Sequence, residues 1–261
     1  MIYIPYFKFQ EKKIFYRIRK AENRDGIIFI HGSGENSKIW DNQLDLETNY
    51  KLIALDLPSH ARSEEFEDLS LRLYSECVET LVKELDLNKV ILCGHSLGGA
   101  IAHDDYLRNP ERINGLILLG TGARLRVSPM ILSSLKTNFE EYLESIPIGA
   151  FYRKTDEKII KDYLAEVAQI PAKVTYSDFS ICNRFDLLDQ VKNGEITIPT
   201  LVICGVADKL TPLKYSKFFE EKIEKSELVA IKRAGHMVMI EKPEETNQAI
   251  IDFIINKFEE K

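Results

Sequence analysis

Gly94-His95-Ser96-Leu97-Gly98 sets a serine midway between two glycines, directly after the apolar run Lys89 to Cys93 and directly before Gly99-Ala100-Ile101-Ala102-His103, which can open a helix. On so tight a strand-to-helix turn the serine backbone is strained, and side chains two positions to either side would collide with neighbouring elements; glycine removes both clashes. The chemistry such a serine can do is nucleophilic attack. Its hydroxyl is a weak nucleophile at neutral pH, so an imidazole must take its proton and a carboxylate must orient the imidazole. Five histidines are available: His31, His60, His95, His103 and His236. His236 is the expected base, because Ala234-Gly235-His236-Met237 forms a loop between an apolar strand, Leu228 to Lys232, and a C-terminal helix. His31 only precedes a loop glycine, His103 lies on the helix after the serine, and His95 sits inside the elbow facing away from the site. Asp208 is the expected orienting acid, since Cys204-Gly205-Val206-Ala207-Asp208 leaves an apolar strand and Thr211-Pro212 then starts a helix. Asp186, Asp189 and Glu241 follow no central strand so directly.

A serine attacking a carbonyl also needs two preorganised N–H groups for the oxyanion that forms. One is expected from Leu97, at the start of the helix. The other is expected from Ser33 in the loop His31-Gly32-Ser33-Gly34, whose small residues let the backbone approach a substrate. Gly32, His95, Met237, Phe139 and Tyr142 are expected to border the substrate.

The elements that must carry these residues are short continuous apolar runs: Ile27 to Ile30, Leu52 to Leu55, Val90 to Cys93, Gly115 to Leu119 and Leu201 to Cys204. Amphipathic stretches separate several of them, which is the pattern of an α/β fold whose parallel sheet is covered on both faces. Leu71 to Leu87 and Pro243 to Phe258 read as sheet-packing helices. Tyr3 to Phe9 and Lys13 to Arg19, separated by Gln10-Glu11-Lys12, read as an antiparallel hairpin at a sheet edge. One interval breaks the rhythm, because about 80 residues lie between Leu119 and Thr200, more than a crossover helix needs. It reads as an inserted helical cap, residues 122–196, within a core formed by residues 1–121 and 197–261. Its expected helices run from about Ser128 to Ser145 and from Thr155 to Ala168, and Met130, Leu135, Phe139, Tyr142, Phe151 and Tyr152 are candidates for a substrate wall.

Composition sets the outer limits. The chain has 261 residues, a net charge of -6, 44% hydrophobic and 29% charged residues, which suits a soluble globular protein. With 35 basic against 41 acidic residues it offers no extended positive surface, so a nucleic-acid partner is not expected. Pro5 and Glu11-Lys12-Lys13 interrupt the N-terminus before any signal-like stretch, and no run reaches the ~18 apolar residues of a membrane span. Cys77, Cys93, Cys182 and Cys204 form no CxxC pair, which suits a reduced, cytoplasmic setting. Spacing sets no oligomeric state.

Taken together, His31-Gly32-Ser33-Gly34, Gly94-His95-Ser96-Leu97-Gly98-Gly99, Asp208 after Leu201-Val202-Ile203-Cys204-Gly205, and Gly235-His236 resemble the α/β-hydrolase fold family over nearly the whole chain. Pro199-Thr200-Leu201-Val202-Ile203 is similar to the family's segment before the acid. Within the family the chain is most similar to capped carboxylesterases and monoacylglycerol-lipase-like enzymes. The resemblance implies hydrolysis of a small-molecule ester through an acyl-enzyme, without metal or organic cofactor. A serine at position 96 argues against the dehalogenase and epoxide hydrolase branches, which use aspartate there. Carbon–carbon bond hydrolases, thioesterases and lactonases share the same triad, and a ligand receptor could retain the pocket, so these readings stay open. One departure stands out: where relatives carry Asp-x-Pro-Gly-His-Gly-x-Ser, this chain has Asp56-Leu57-Pro58-Ser59-His60-Ala61-Arg62-Ser63. Both glycines are replaced, which questions the loop's usual backbone, and His60 reads as structural rather than catalytic.

Overall fold

The computed structural model describes residues 5–19 and 21–259. The N-terminal half runs β1 Tyr6–Phe9, β2 Lys12–Arg19, β3 Gly26–Ile30, β4 Lys51–Leu55, α1 Leu71–Glu84, β5 Val90–His95, α2 Leu97–Arg108 and β6 Ile113–Leu119. Helices α3 Pro129–Thr137, α4 Phe139–Ala150, α5 Glu157–Val167, α6 Ala172–Arg184 and α7 Leu188–Lys192 follow. The chain then returns as β7 Thr200–Gly205, α8 Leu213–Lys222, β8 Ser226–Ile231, α9 Val238–Glu241 and α10 Pro243–Phe258. The strands lie in the order β1-β2-β4-β3-β5-β6-β7-β8. β1, β2 and β4 pair antiparallel, and every pairing from β4 through β3 to β8 is parallel.

The apolar runs form strands because both of their faces are covered. On β3, Ile28 and Ile30 enter one apolar cluster with α1 and α2, while Ile27 and Phe29 enter a second cluster with Trp40 and α10. Successive side chains of a strand point to opposite faces, so a run that is apolar throughout must be sandwiched. Two flanking helices begin with recognisable start signals: Ser70 Oγ accepts the Leu73 N–H at 3.1 Å ahead of α1, and Pro243 opens α10. At the edge, Gln10 and Glu11 adopt φ of 47° and 64°, the two-residue turn geometry that matches strand twist, so Lys12 joins β2 rather than the turn. Of the expected first strand, Tyr3 and Ile4 lie outside the described residues.

β6 and β7 are hydrogen-bonded neighbours, with Leu116 opposite Thr200. The five helices between them therefore leave the sheet and return to the adjacent position. They differ from the expectation in two ways. The single helix from Ser128 to Ser145 is broken at Asn138, whose extended backbone and side-chain oxygen, accepting the Glu141 N–H at 3.3 Å, start a new helix. α6 and α7 have no counterparts among the expected helices. Between β3 and β4 the chain forms a 3-10 turn, Ser37–Trp40. The departing loop keeps its unusual backbone without glycine, since Ser59 and Ala61 hold φ of 70° and 43°. Among the described residues no helix is long and apolar enough to cross a membrane.

Candidate active site

Ser96 follows β5 at φ 51° and ψ -112°, a strained conformation that lifts it out of the strand. The glycines on either side meet the expected crowding: a Cβ on Gly94 would stand 2.2 Å from the Gly98 carbonyl oxygen, and one on Gly98 would stand 2.1 Å from that of Ile30. Ser96 does not cap α2 with its side chain, so helix capping does not account for a serine here. Its hydroxyl makes no hydrogen bond among the described residues.

The turn after β7 holds Asp208 by three further donors. Its carboxylate accepts the Leu210 and Thr211 N–H groups, both at 2.9 Å, and the Thr211 hydroxyl at 2.7 Å. His236 Nδ1 lies 2.9 Å from Asp208 Oδ2. The loop after β8 is fixed from the other side, because the His236 N–H donates to the carbonyl of Ala150, the last residue of α4, at 2.7 Å. Glu241 ties the same two segments by accepting the Gly235 N–H at 2.7 Å and the Tyr152 N–H at 2.8 Å.

Electrostatics follow from this packing. Burial acts to lower the affinity of His236 for a proton, but the charge and hydrogen bond of Asp208 outweigh it and raise its pKa above the ordinary 6.5. Burial pushes Asp208 upward, yet His236 and the Thr211 donors hold its carboxyl below the ordinary 3.8. A second buried carboxylate, Glu35, is likewise pushed up by burial and brought down to about 2, chiefly by His95.

Ser96 and His236 open onto one cavity of about 500 Å³. Ser33, His95 and Tyr142 also line it, as do Met130, Ile146 and Ile148 from α3 and α4. His95 corrects the expectation that it faces away: its ring centroid is 4.6 Å from that of His236, and Nε2 lies 3.2 Å from the His236 carbonyl oxygen. Leu97 is buried behind the serine, and its N–H, like that of Ser33, has no partner among the described residues. Gly32, Met237 and Phe139 are not among the residues lining the cavity, although a Cβ on Gly32 would stand 3.2 Å from that of Ser96. Gly32 gives its N–H to Glu35, Met237 is wholly buried in the core, and Phe139 stacks at 5.7 Å behind Tyr142. Leu135, Phe151 and Tyr152 also lie off the wall, the first two buried in the core.

The other candidates fall elsewhere. His31 Nε2 accepts the Leu57 N–H, His60 contacts Asp178, and His103 stacks on Phe219. Asp186 faces Arg126 and Asp189 faces Lys192. Sequence reasoning missed Glu35, Tyr163 and Cys182 in the lining. Only Glu35 carried a signal, an acid three residues after a loop glycine, poised to accept that glycine's N–H.

Residues 27–249 match a family model described as the alpha/beta hydrolase family. The chain belongs to that family. This alpha/beta hydrolase is 25% identical over 258 residues to the pimeloyl-[acyl-carrier protein] methyl ester esterase of Yersinia enterocolitica, covering 93% of this chain and 97% of the relative. It is 26% identical to the 2-hydroxy-6-oxononadienedioate/2-hydroxy-6-oxononatrienedioate hydrolase of Klebsiella pneumoniae, covering 90% and 88% of the two chains. Among solved structures it superposes on a thermophilic esterase with a TM-score of 0.87 at 40% identity, over 99% of each chain. The expectation of a carboxylic ester hydrolase on an α/β-hydrolase fold agrees with these findings.

Proposed function

We propose that this alpha/beta hydrolase cleaves carboxylic esters, of short- to medium-chain acids or monoacylglycerols, through an acyl-enzyme on Ser96. His236, oriented by Asp208, takes the Ser96 proton as Oγ bonds to the ester carbonyl carbon. The carbonyl oxygen becomes an oxyanion held by the Ser33 and Leu97 N–H groups. The carbon–oxygen bond to the alcohol then breaks, and His236 returns the proton to the leaving alkoxide. Water, deprotonated by His236, attacks the acyl carbon; Ser96 leaves and recovers its proton as the acid departs. Residues 122–196 act as a cap over the core of residues 1–121 and 197–261, and α3 and α4 provide the apolar wall for the acyl chain. The observation that carries this reading is the 2.9 Å contact between Asp208 and His236 beside a cavity shared with Ser96.

The test is hydrolysis of p-nitrophenyl butyrate and of a monoacylglycerol. Ser96→Ala and His236→Ala are expected to lower kcat by at least about 10³-fold. Undiminished turnover in His236→Ala would remove the assigned base. The Klebsiella pneumoniae relative motivates one competing reading, hydrolysis of a carbon–carbon bond. Rapid cleavage of a vinylogous diketone, with no ester turnover, would replace the ester reading with that one.

A further inference from the structure

The loop formed by residues 32–35 carries four consecutive backbone N–H groups, and three are taken. Gly32 donates to Glu35 Oε2 at 2.6 Å, Gly34 donates to Asp178 Oδ2 at 2.9 Å, and Glu35 donates to the Gly32 carbonyl at 3.4 Å. Ser33 N–H alone has no partner among the described residues. The amides on both sides of it are thus pinned by carboxylates, one from the loop itself and one from α6.

Both acids are deeply buried, Glu35 at 3% exposure and Asp178 at 0%. A buried carboxylate is costly unless its lone pairs are filled. Glu35 fills its remaining ones with His95 Nδ1 at 3.0 Å and the Tyr163 hydroxyl at 2.9 Å. Asp178 fills its own with His60 Nε2 at 2.8 Å and the Tyr74 hydroxyl at 2.7 Å. Each acid is therefore fixed by three donors drawn from separate elements, and each spends one acceptor on the loop. Gly34 adopts φ 67° between them, and Thr175 of α6 packs where a Cβ would stand.

We propose that Glu35 and Asp178 are positioning residues for the oxyanion hole: by accepting the Gly32 and Gly34 N–H groups they fix the two peptide units flanking Ser33 and aim its free N–H at the reacting carbonyl. This rests on the assignment of Ser96 as nucleophile and Ser33 as oxyanion donor. Neither acid exchanges a proton with the substrate. Their contribution is preorganisation, which matters most when charge develops on the oxygen.

The test compares Glu35→Ala and Asp178→Ala with Glu35→Gln and Asp178→Asn, which keep a neutral acceptor. Turnover of p-nitrophenyl butyrate is measured per active site, beside inhibition by an alkyl trifluoromethyl ketone, whose adduct with serine mimics the tetrahedral oxyanion. The alanine variants should lose about 10- to 100-fold in kcat with KM little changed, and ketone affinity should fall by the same factor. The positioning role needs an acceptor oxygen and no charge, so Glu35→Gln and Asp178→Asn should recover most of both. A purely structural role would lower Tm and the fraction of active sites but leave kcat per active site and ketone affinity unchanged, and that outcome overturns the proposal. Glu35→Ala with kcat and ketone affinity within about twofold of the parent overturns the proposal, and this variant decides should Asp178→Ala fail to fold. Conservative variants as impaired as the alanines overturn the acceptor role. Full turnover by Ser96→Ala, by contrast, overturns the nucleophile itself.

Discussion

At the scale of single residues, the site depends on how three buried carboxylates are answered by their donors. As the proposed base, His236 must be neutral to accept a proton, and Asp208 raises its pKa above 6.5 despite burial. kcat/KM is therefore expected to rise with pH along an acid limb centred above that value. Asp208→Asn should move the limb to lower pH and reduce kcat by about 10⁴-fold, as loss of the orienting acid does in triads generally. A limb that stays in place in this variant would show that Asp208 does not set the imidazole. The same shift has a stability sign. The contribution of His236 is fully present below its unfolded pKa and is lost as pH rises through the higher folded one. Glu35 has the opposite sense, with stability present above 4.5 and lost as pH falls toward about 2. Ser96, Asp208 and His236 were legible because each follows a strand in a recognisable turn. Asp178 was not, because it sits in mid-helix and its three partners come from residues 34, 60 and 74, far away in sequence.

At the scale of elements, the loop after β4 keeps a glycine-like backbone without its glycines. A left-handed conformation costs a side-chain-bearing residue about 1–2 kcal/mol, part of which glycine gives back through its freer unfolded chain. Ala61 is exposed and stands off the cavity wall. Ala61→Gly should therefore stabilise by about 1 kcal/mol and raise Tm by about 2–4 °C with kcat unchanged. A calorimetric Tm equal to or below the parent's would contradict the strain. Ser59 is a poorer test, since its hydroxyl accepts the Phe66 N–H at 2.8 Å. Strands were the most legible elements: the apolar runs at Ile27, Leu52, Val90, Gly115 and Leu201 all lie within observed strands. Helices of the inserted segment were less so. α6 buries Thr175 and Asp178 on the same face as Val174, Ile181 and Cys182, which dilutes the apolar period by which an amphipathic helix is read. Asn138 ends one helix and starts the next, so the apolar spacing of α3 and α4 runs together in the sequence.

At the scale of the whole molecule, β6 and β7 pair across the inserted helices, so residues on both sides of them build one sheet. That sheet brings the turns carrying Ser33, Ser96, Asp208 and His236 toward a common cavity. The exposed side chains of Met130 and Ile148, at 79% and 72%, mark where that cavity meets the surface. The Ala150 carbonyl that receives the His236 N–H has a mechanical consequence. A hinged gate built from α4 would have to pull the imidazole's own backbone out of register each time it swung open. Passage of substrate and product is therefore expected through side-chain breathing around Met130 and Ile148 rather than through movement of α4. Native-state hydrogen exchange can read this directly, since the His236 amide should exchange as slowly as the central amides of β5. Fast exchange there, accelerated further during turnover, would instead reveal a door.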